Sequence, residues 1–284
     1  MTILVFGRNG QVASELRRRR ADVRALGRAE ADLMQPGAAE RAIREAAPDL
    51  VINAAAHTAV DRAEEDADRA RRLNGDAPGE MARAAAAAGV PLVHISTDYV
   101  FDGTGTRPWR PGDPTGPLGV YGRSKLAGEE AVAAAGGRFA VVRTSWVFSS
   151  HGQNFVKTML RLGRERREMA VVADQIGGPT SAGAIADAVL RVGQALRDGG
   201  GASGIYHFAG APDTSWAGFA REIFARAGLE VTVNDIATAD YPTPARRPLN
   251  SRLDCGDLAR EFGIDRPDWR ADLAEVLREL EDVA

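Results

Sequence analysis

The chain has 284 residues and a net charge of −3, enough length to bury a full core and no electrostatic case for nucleic acid. Its single cysteine, Cys255, excludes an intramolecular disulfide and a thiolate metal cage. No stretch is apolar enough to span a membrane and nothing resembles a signal peptide, so a soluble cytoplasmic protein is expected.

Thr2 to Phe6 reads as a buried strand stopped by Gly7, and Gln11 to Arg20 as a helix. Asp22 to Leu26 is a second strand, followed by a helix from Ala38 to Ala46 that Pro48 closes. Leu50 to Asn53 is the third strand, and Ala54-Ala55-Ala56 the loop after it. An Ala-rich helix runs from Asp76 to Ala88 and ends at Gly89. Then come a strand at Leu92 to Ser96, a helix at Ser124 to Ala135 and a strand at Phe139 to Arg143. This alternation predicts an α/β fold, a Rossmann-type doubly wound parallel sheet covered by helices on both faces. After about residue 150 the alternation weakens. Helices are expected at Asn154 to Arg167, Gly183 to Arg197, Trp216 to Ala227 and Asp268 to Val283, with Tyr241 to Leu249 irregular. The expected division is a nucleotide-binding domain over residues 1–150 and a smaller substrate-binding lobe over 151–284, with residues 181–200 open to returning to the first domain.

The turn Gly7-Arg8-Asn9-Gly10-Gln11-Val12-Ala13 lies between the first strand and the first helix. Gly7 permits a tight turn, Gly10 lets the backbone approach a pyrophosphate, and Ala13 lets helix and strand pack closely. Backbone amides at the helix start would hold the anion. The second strand ends in Leu26-Gly27-Arg28, where many NAD binders carry an acid for the ribose. Arg28 could pair with a 2′-phosphate, which favours NADPH and leaves NADH open. Asp32 and Leu33 could border the adenine, and Ala54, Ala55 and Ala56 are small enough for a cofactor to lie close.

Only two of the 36 basic residues are lysine, Lys125 and Lys157, and Lys125 lies four positions after Tyr121. On a helix that spacing puts phenol and ammonium on one face. The ammonium would hydrogen-bond a ribose and lower the phenol's pKa, making Tyr121 the proton donor to a substrate carbonyl. Ser96 and Thr97 alternate in direction at the end of the fourth strand, so one hydroxyl should face the cleft. Hydride would come from the nicotinamide. His57, His94, His151 and His207 show no metal spacing; His94 reads as structural and His57 as close to the cofactor. Asp61, Glu64, Glu65, Asp66 and Asp68 read as a solvated helix face.

The turn from Gly7 to Ala13, taken with Tyr121 and Lys125, resembles the extended short-chain dehydrogenase/reductases. Four longer segments narrow the resemblance: Asn53 to Asp61, Ser96 to Phe101, Arg143 to Phe148 and Tyr241 to Pro248. Together they are similar to the dTDP-4-dehydrorhamnose reductases, and the resemblance runs end to end. It implies NADPH-dependent reduction of a dTDP-sugar ketone. It implies a catalytic set of Thr97, Tyr121 and Lys125, with cofactor contacts from Gly10, Gln11, Val12, Asp32, Leu33 and the segment Ala56, His57 and Thr58. It further implies a sugar site of Thr58, Val60, Thr97, Asp98 and Trp146, with Arg246, Arg247 and Asn250 on the nucleotide. Some members of this group use Mg²⁺ at a dimer contact. Glu15 is suitably placed for that, but no partner carboxylates stand out, so metal and homodimer both stay open. Two other readings remain: a non-catalytic subunit similar to the regulatory subunit of methionine adenosyltransferase, and a nucleotide-sugar epimerase or dehydratase of the same fold. The intact Thr97, Tyr121 and Lys125 weigh against the first, and Asp98-Tyr99 in place of an acidic pair against the second.

Overall fold

A computed structural model describes residues 1–282. The expected end of the last helix at Val283 therefore lies outside the described residues.

The first strand, β1 (Ile3–Phe6), is apolar and fully buried, as a strand covered on both faces must be. Helix α1 (Gln11–Arg19) follows, then β2 (Val23–Leu26), α2 (Ala38–Ala46) and β3 (Leu50–Asn53). Two short helices, α3 (Val60–Glu65) and α4 (Ala67–Arg71), then lead through a π turn at Arg72–Asp76 into α5 (Ala77–Ala87). The acidic run from Asp61 to Asp68 reads as a helix face and does fall on α3 and α4, but the break between them and the π turn have no sign in the sequence. Next come β4 (Leu92–Thr97), α6 (Val120–Ala134) and β5 (Phe139–Thr144). Helix α6 begins four residues earlier than expected, which places Tyr121 in its first turn.

The main sheet has six strands, with β5, β4, β3, β1 and β2 in that order and the strand Gly204–His207 outside β5. Every pairing in it is parallel. The order reverses direction between β1 and β3, a switch point at which such sheets bind ligands. Helix Ala182–Arg197 packs on this sheet beside α1, and its Ile185, Val189 and Val192 share one core with Ile3, Val5 and Leu16. The other face is covered by α2, α5 and α6, with Leu4, Phe6, Ile43 and Met81 at its centre. Chain from beyond residue 181 thus supplies both an edge strand and a covering helix. The edge strand was not expected: four residues, one of them histidine, give too little pattern.

A separate core joins Phe148, Met159, Phe219, Phe224, Trp269 and Leu273. Helices Phe155–Glu165, Trp216–Arg226 and Trp269–Glu281 contribute to it, as does a two-stranded ribbon of Glu168–Val172 with Thr232–Ile236. The segment Tyr241 to Leu249 is irregular, as its three prolines demand. Helix α6 meets the turn after β4 closely: a Cβ at Gly122 would come within 2.2 Å of the Tyr99 carbonyl oxygen. That approach brings Tyr121 down onto the end of β4.

Candidate active site

Because the strands are parallel and in register, their carboxyl ends share one edge. Phe6 pairs with Asn53, Asn53 with His94 and Thr97 with Thr144. The residues just beyond these positions are Gly7, Ala54, Asp98 and Trp146.

Gly7 has φ of 109°, and a Cβ there would stand 2.8 Å from the Ala54 backbone. Gly10 precedes α1, and no side chain caps that helix. Its first amides therefore remain free for an anion. A Cβ on Gly10 would meet no protein atom nearer than 3.6 Å, so no protein group crowds the turn at that point. Val12 and Ala13 are buried against the sheet. Gln11 does something unforeseen: its Oε1 accepts from Ser149 Oγ (2.8 Å) and Asn154 Nδ2 (3.0 Å), tying the turn to the lobe. Ala54 and Ala55 are half-buried, while Ala56 and Thr58 are exposed. His57 is fixed through its backbone amide, which donates to Asn74 Oδ1 at 2.7 Å. These residues fit a dinucleotide.

Beyond β2, the Arg28 side chain is 65% exposed and only 3.5 Å from Asp32, a loose pair that leaves the guanidinium available. Leu33 is buried in the core on that face of the sheet. Glu30 was not anticipated here: it accepts from the Gly27 amide at 3.0 Å and pairs with Arg8. Among the described residues of the single chain, Glu15 has no partner carboxylates for a metal. That buried carboxylate is taken up by Arg18 at 2.9 Å and by Arg19, and no metal-holding cluster exists among the described residues.

The alternation at the end of β4 resolves as Ser96 inward and Thr97 outward. Ser96 Oγ donates to the buried Glu129. Thr97 Oγ1 donates to Asp98 Oδ1 at 3.1 Å and accepts from the Tyr99 amide at 3.2 Å. Tyr121 stacks edge-on to Tyr99, with ring centroids 5.5 Å apart. Glu64 caps the helix that carries Tyr121, accepting from the Val120 amide at 2.7 Å.

At four points the geometry departs from the expected surroundings. Tyr121 is not made more acidic by Lys125: burial pushes its phenol up to about 12, only partly offset by the Thr97 hydroxyl. Lys125 instead turns inward, donating to the Ile95 carbonyl at 2.7 Å and meeting His94 Nε2 at 3.3 Å. Arg247 is spent on Asp61, which it grips with both terminal nitrogens at 3.1 and 2.8 Å. The Asn250 side chain is fully used, donating to the carbonyls of Thr104 and Arg107 in the segment after β4 and accepting from Arg252. Nor is the acidic run uniformly solvated: Glu65, Asp66 and Asp68 are exposed, whereas Asp61 and Glu64 are half-buried and hold partners. Arg246 is exposed and pairs with no carboxylate among the described residues.

Asp98 is buried, and its Oδ2 meets no donor in hydrogen-bonding geometry. Burial raises its carboxyl to about 6, against the pull of the Ser251 and Thr97 hydroxyls. Trp146 has φ of 50°, a backbone conformation a bulky residue adopts only under constraint. The constraint is visible: its ring stacks on Trp216 at 3.7 Å and lies over Gly177. Trp216 is in turn held by Gln175, whose Oε1 accepts its indole N–H at 3.1 Å. Val60 is half-buried at the start of α3.

This sheet, turn and helix define a short-chain dehydrogenase/reductase architecture. The family described as RmlD substrate binding domain matches residues 1–282. A dTDP-4-dehydrorhamnose reductase of Sinorhizobium fredii is 47% identical over 95% of this chain and 94% of its own length. Another of Burkholderia thailandensis is 48% identical over 99% of each chain. A Clostridium acetobutylicum reductase of the same name superposes with a TM-score of 0.94, at 37% identity over 99% of this chain and all of its own. The Bacillus anthracis one, solved with NADP, gives 0.92 at 32% identity over 98% of this chain and all of its own. The chain belongs to the dTDP-4-dehydrorhamnose reductase family.

Proposed function

We propose that this protein reduces the 4-keto group of dTDP-4-dehydro-L-rhamnose with NADPH, giving dTDP-L-rhamnose. The observation that carries the reading is the common edge at which Thr97 ends its strand and Gly7, Ala54 and Trp146 lie just beyond theirs, the strands being paired in register. The open Gly10 turn would take the pyrophosphate on its helix amides, with Ala54, Ala55, Ala56, His57 and Thr58 beside the nicotinamide half and Asp32 and Leu33 beside the adenine. Arg28, exposed and loosely paired, suits a 2′-phosphate and so NADPH. When bound, the nicotinamide supplies the hydride.

The protein's share is to place the ketone and to supply a proton. Tyr121, fully protonated at neutral pH, is the general acid. The Thr97 hydroxyl, released from Asp98, would donate to the ketone oxygen as charge builds there. Asp98 Oδ2, left without a donor, suits a sugar hydroxyl. The face of Trp146 suits the apolar side of a deoxysugar. Thr58 and Val60 would close the sugar site. The free Arg246 is the better partner for the diphosphate, since Arg247 and Asn250 serve the loop that presents it.

The test is oxidation of NADPH, compared with NADH, with the keto-sugar generated in the same tube from dTDP-glucose by a dehydratase and an epimerase. Oxidation that stops when the epimerase is left out, with dTDP-L-rhamnose recovered, is the expected result. Folded protein that binds the cofactor but oxidises none of it would refute the reading.

A further inference from the structure

Lys125 is buried, yet one of its two polar neighbours is a histidine ring nitrogen rather than an acid. The direction of that contact follows from donor and acceptor accounting. Ala55 donates its backbone N–H to Asn53 Oδ1 at 3.0 Å. This fixes the Asn53 amide, so Nδ2 is the atom turned toward His94 Nδ1, at 2.9 Å. An amide NH₂ only donates, so Nδ1 must accept and carries no proton. His94 has no exposed surface, and burial, then the nearby Lys125, holds it well below the ordinary imidazole value, so the ring is neutral. Its one proton is therefore on Nε2, pointing at Lys125 Nζ at 3.3 Å.

An ammonium has three donors and no acceptor; an amine has a lone pair. A ring N–H aimed at Nζ opposes the first and satisfies the second. We propose that Asn53 and His94 form a fixed donor chain that sets the protonation state of Lys125, whose ammonium, one turn from Tyr121 on α6, is the form that turns over; this makes His94 a positioning residue for the reaction. Its part in turnover rests on the reductase reading above; the tautomer does not.

The surroundings agree. Burial brings Lys125 down to about 8, with Glu129 pulling the other way. Glu129, one turn along the same helix, is already held by Arg143 from β5. The π turn packed against α6 presents Asn74, which is uncharged and bonded to Ser124. Near the helix start stand Glu64 from α3, which caps it, and Asp98 and Tyr99 from the turn after β4. Of these groups, only Glu129 acts on Lys125 through its charge. With burial bringing Lys125 to about 8, its charged and neutral forms lie close enough for the His94 N–H to shift the balance between them.

The decisive variant is Asn53→Asp. A carboxylate has the same shape but only accepts, so it would draw the His94 proton to Nδ1 and leave Nε2 free to accept from an ammonium. His94→Gln offers the ammonium a side-chain carbonyl by another route. The experiment is ring-nitrogen NMR on the cofactor-free protein labelled at histidine, with His94 assigned by its loss in His94→Gln. The pH profile of kcat/KM for NADPH oxidation is measured alongside it. The expected result is a proton on Nε2 in the wild type and on Nδ1 in Asn53→Asp. The alkaline limb should move up by about one pH unit or more in both variants. A wild-type proton on Nδ1 would overturn the chain. So would a tautomer that switches while the alkaline limb stays fixed in both variants. A wild type that turns over no sugar yet shows the Nε2 proton, and its move in Asn53→Asp, would support the chain and overturn only the reductase reading.

Discussion

Arg143 and Glu129 form an ion pair at 2.6 Å with side chains only 2% and 1% exposed. The pair joins β5 to α6, and Ser96 of β4 donates to the same carboxylate. The two elements that carry Thr97 and Lys125, and the strand that leads into Trp146, are thus locked to one another by one buried charge pair. Removing one partner strands the other in the interior. Arg143→Met is therefore expected to cost about 3–5 kcal/mol in denaturant unfolding. A loss below about 1 kcal/mol would mean that the pair is not what holds this corner together.

Tyr121→Phe removes the general acid and leaves the ring stacked against Tyr99. The rate should fall about 10²–10⁴-fold while cofactor affinity and unfolding midpoint stay close to wild type. Turnover close to wild type would show that the proton comes from elsewhere.

Asp98 ties stability to pH. Its carboxyl is raised from 3.8 to about 6 by burial, so the folded state binds the proton more tightly than the unfolded one. The stabilisation is fully present below pH 3.8 and is lost as pH climbs through about 6, a difference of about 3 kcal/mol. Asp98→Asn should be more stable than wild type at pH 7 and lose that advantage near pH 4, while binding the sugar less well. Unfolding curves at several pH values check this; an advantage that does not change with pH would contradict it.

Trp216 holds Trp146 in its constrained backbone conformation through a 3.7 Å stack. Trp216→Leu should raise the KM for the sugar about 2–10-fold with a smaller change in kcat, since what is lost is one aromatic contact. The stacked indoles should also give a coupled signal in far-ultraviolet circular dichroism that this variant lacks. An unchanged KM would place the sugar away from Trp146.

What could be read from the sequence was what is local. Ile3–Phe6 announces itself because a strand buried on both faces is uninterrupted apolar chain. The Gly7 turn is legible because glycine spacing and helix start are contiguous, and Tyr121 and Lys125 because α6 holds them one turn apart. What stayed hidden is long-range. Glu64 caps α6 from a different helix, and Arg247 finds Asp61 across most of the chain. Trp216 meets Trp146 only once the lobe has folded. The direction of Lys125 could not be foreseen either: spacing places an ammonium on a helix face but does not say that the Ile95 carbonyl and His94 lie behind that face.

The most direct test of the central claim follows the hydride itself. NADPH deuterated at nicotinamide C4 on the transferred face is incubated with the protein and dTDP-4-dehydro-L-rhamnose, and the sugar is examined by NMR. The account predicts one deuterium, bonded to C4 of the rhamnose product, and about 10²–10⁴-fold less of that labelled product from Tyr121→Phe over the same time. Consumption of the labelled cofactor with no deuterium in the sugar, or with deuterium at another carbon, would contradict it.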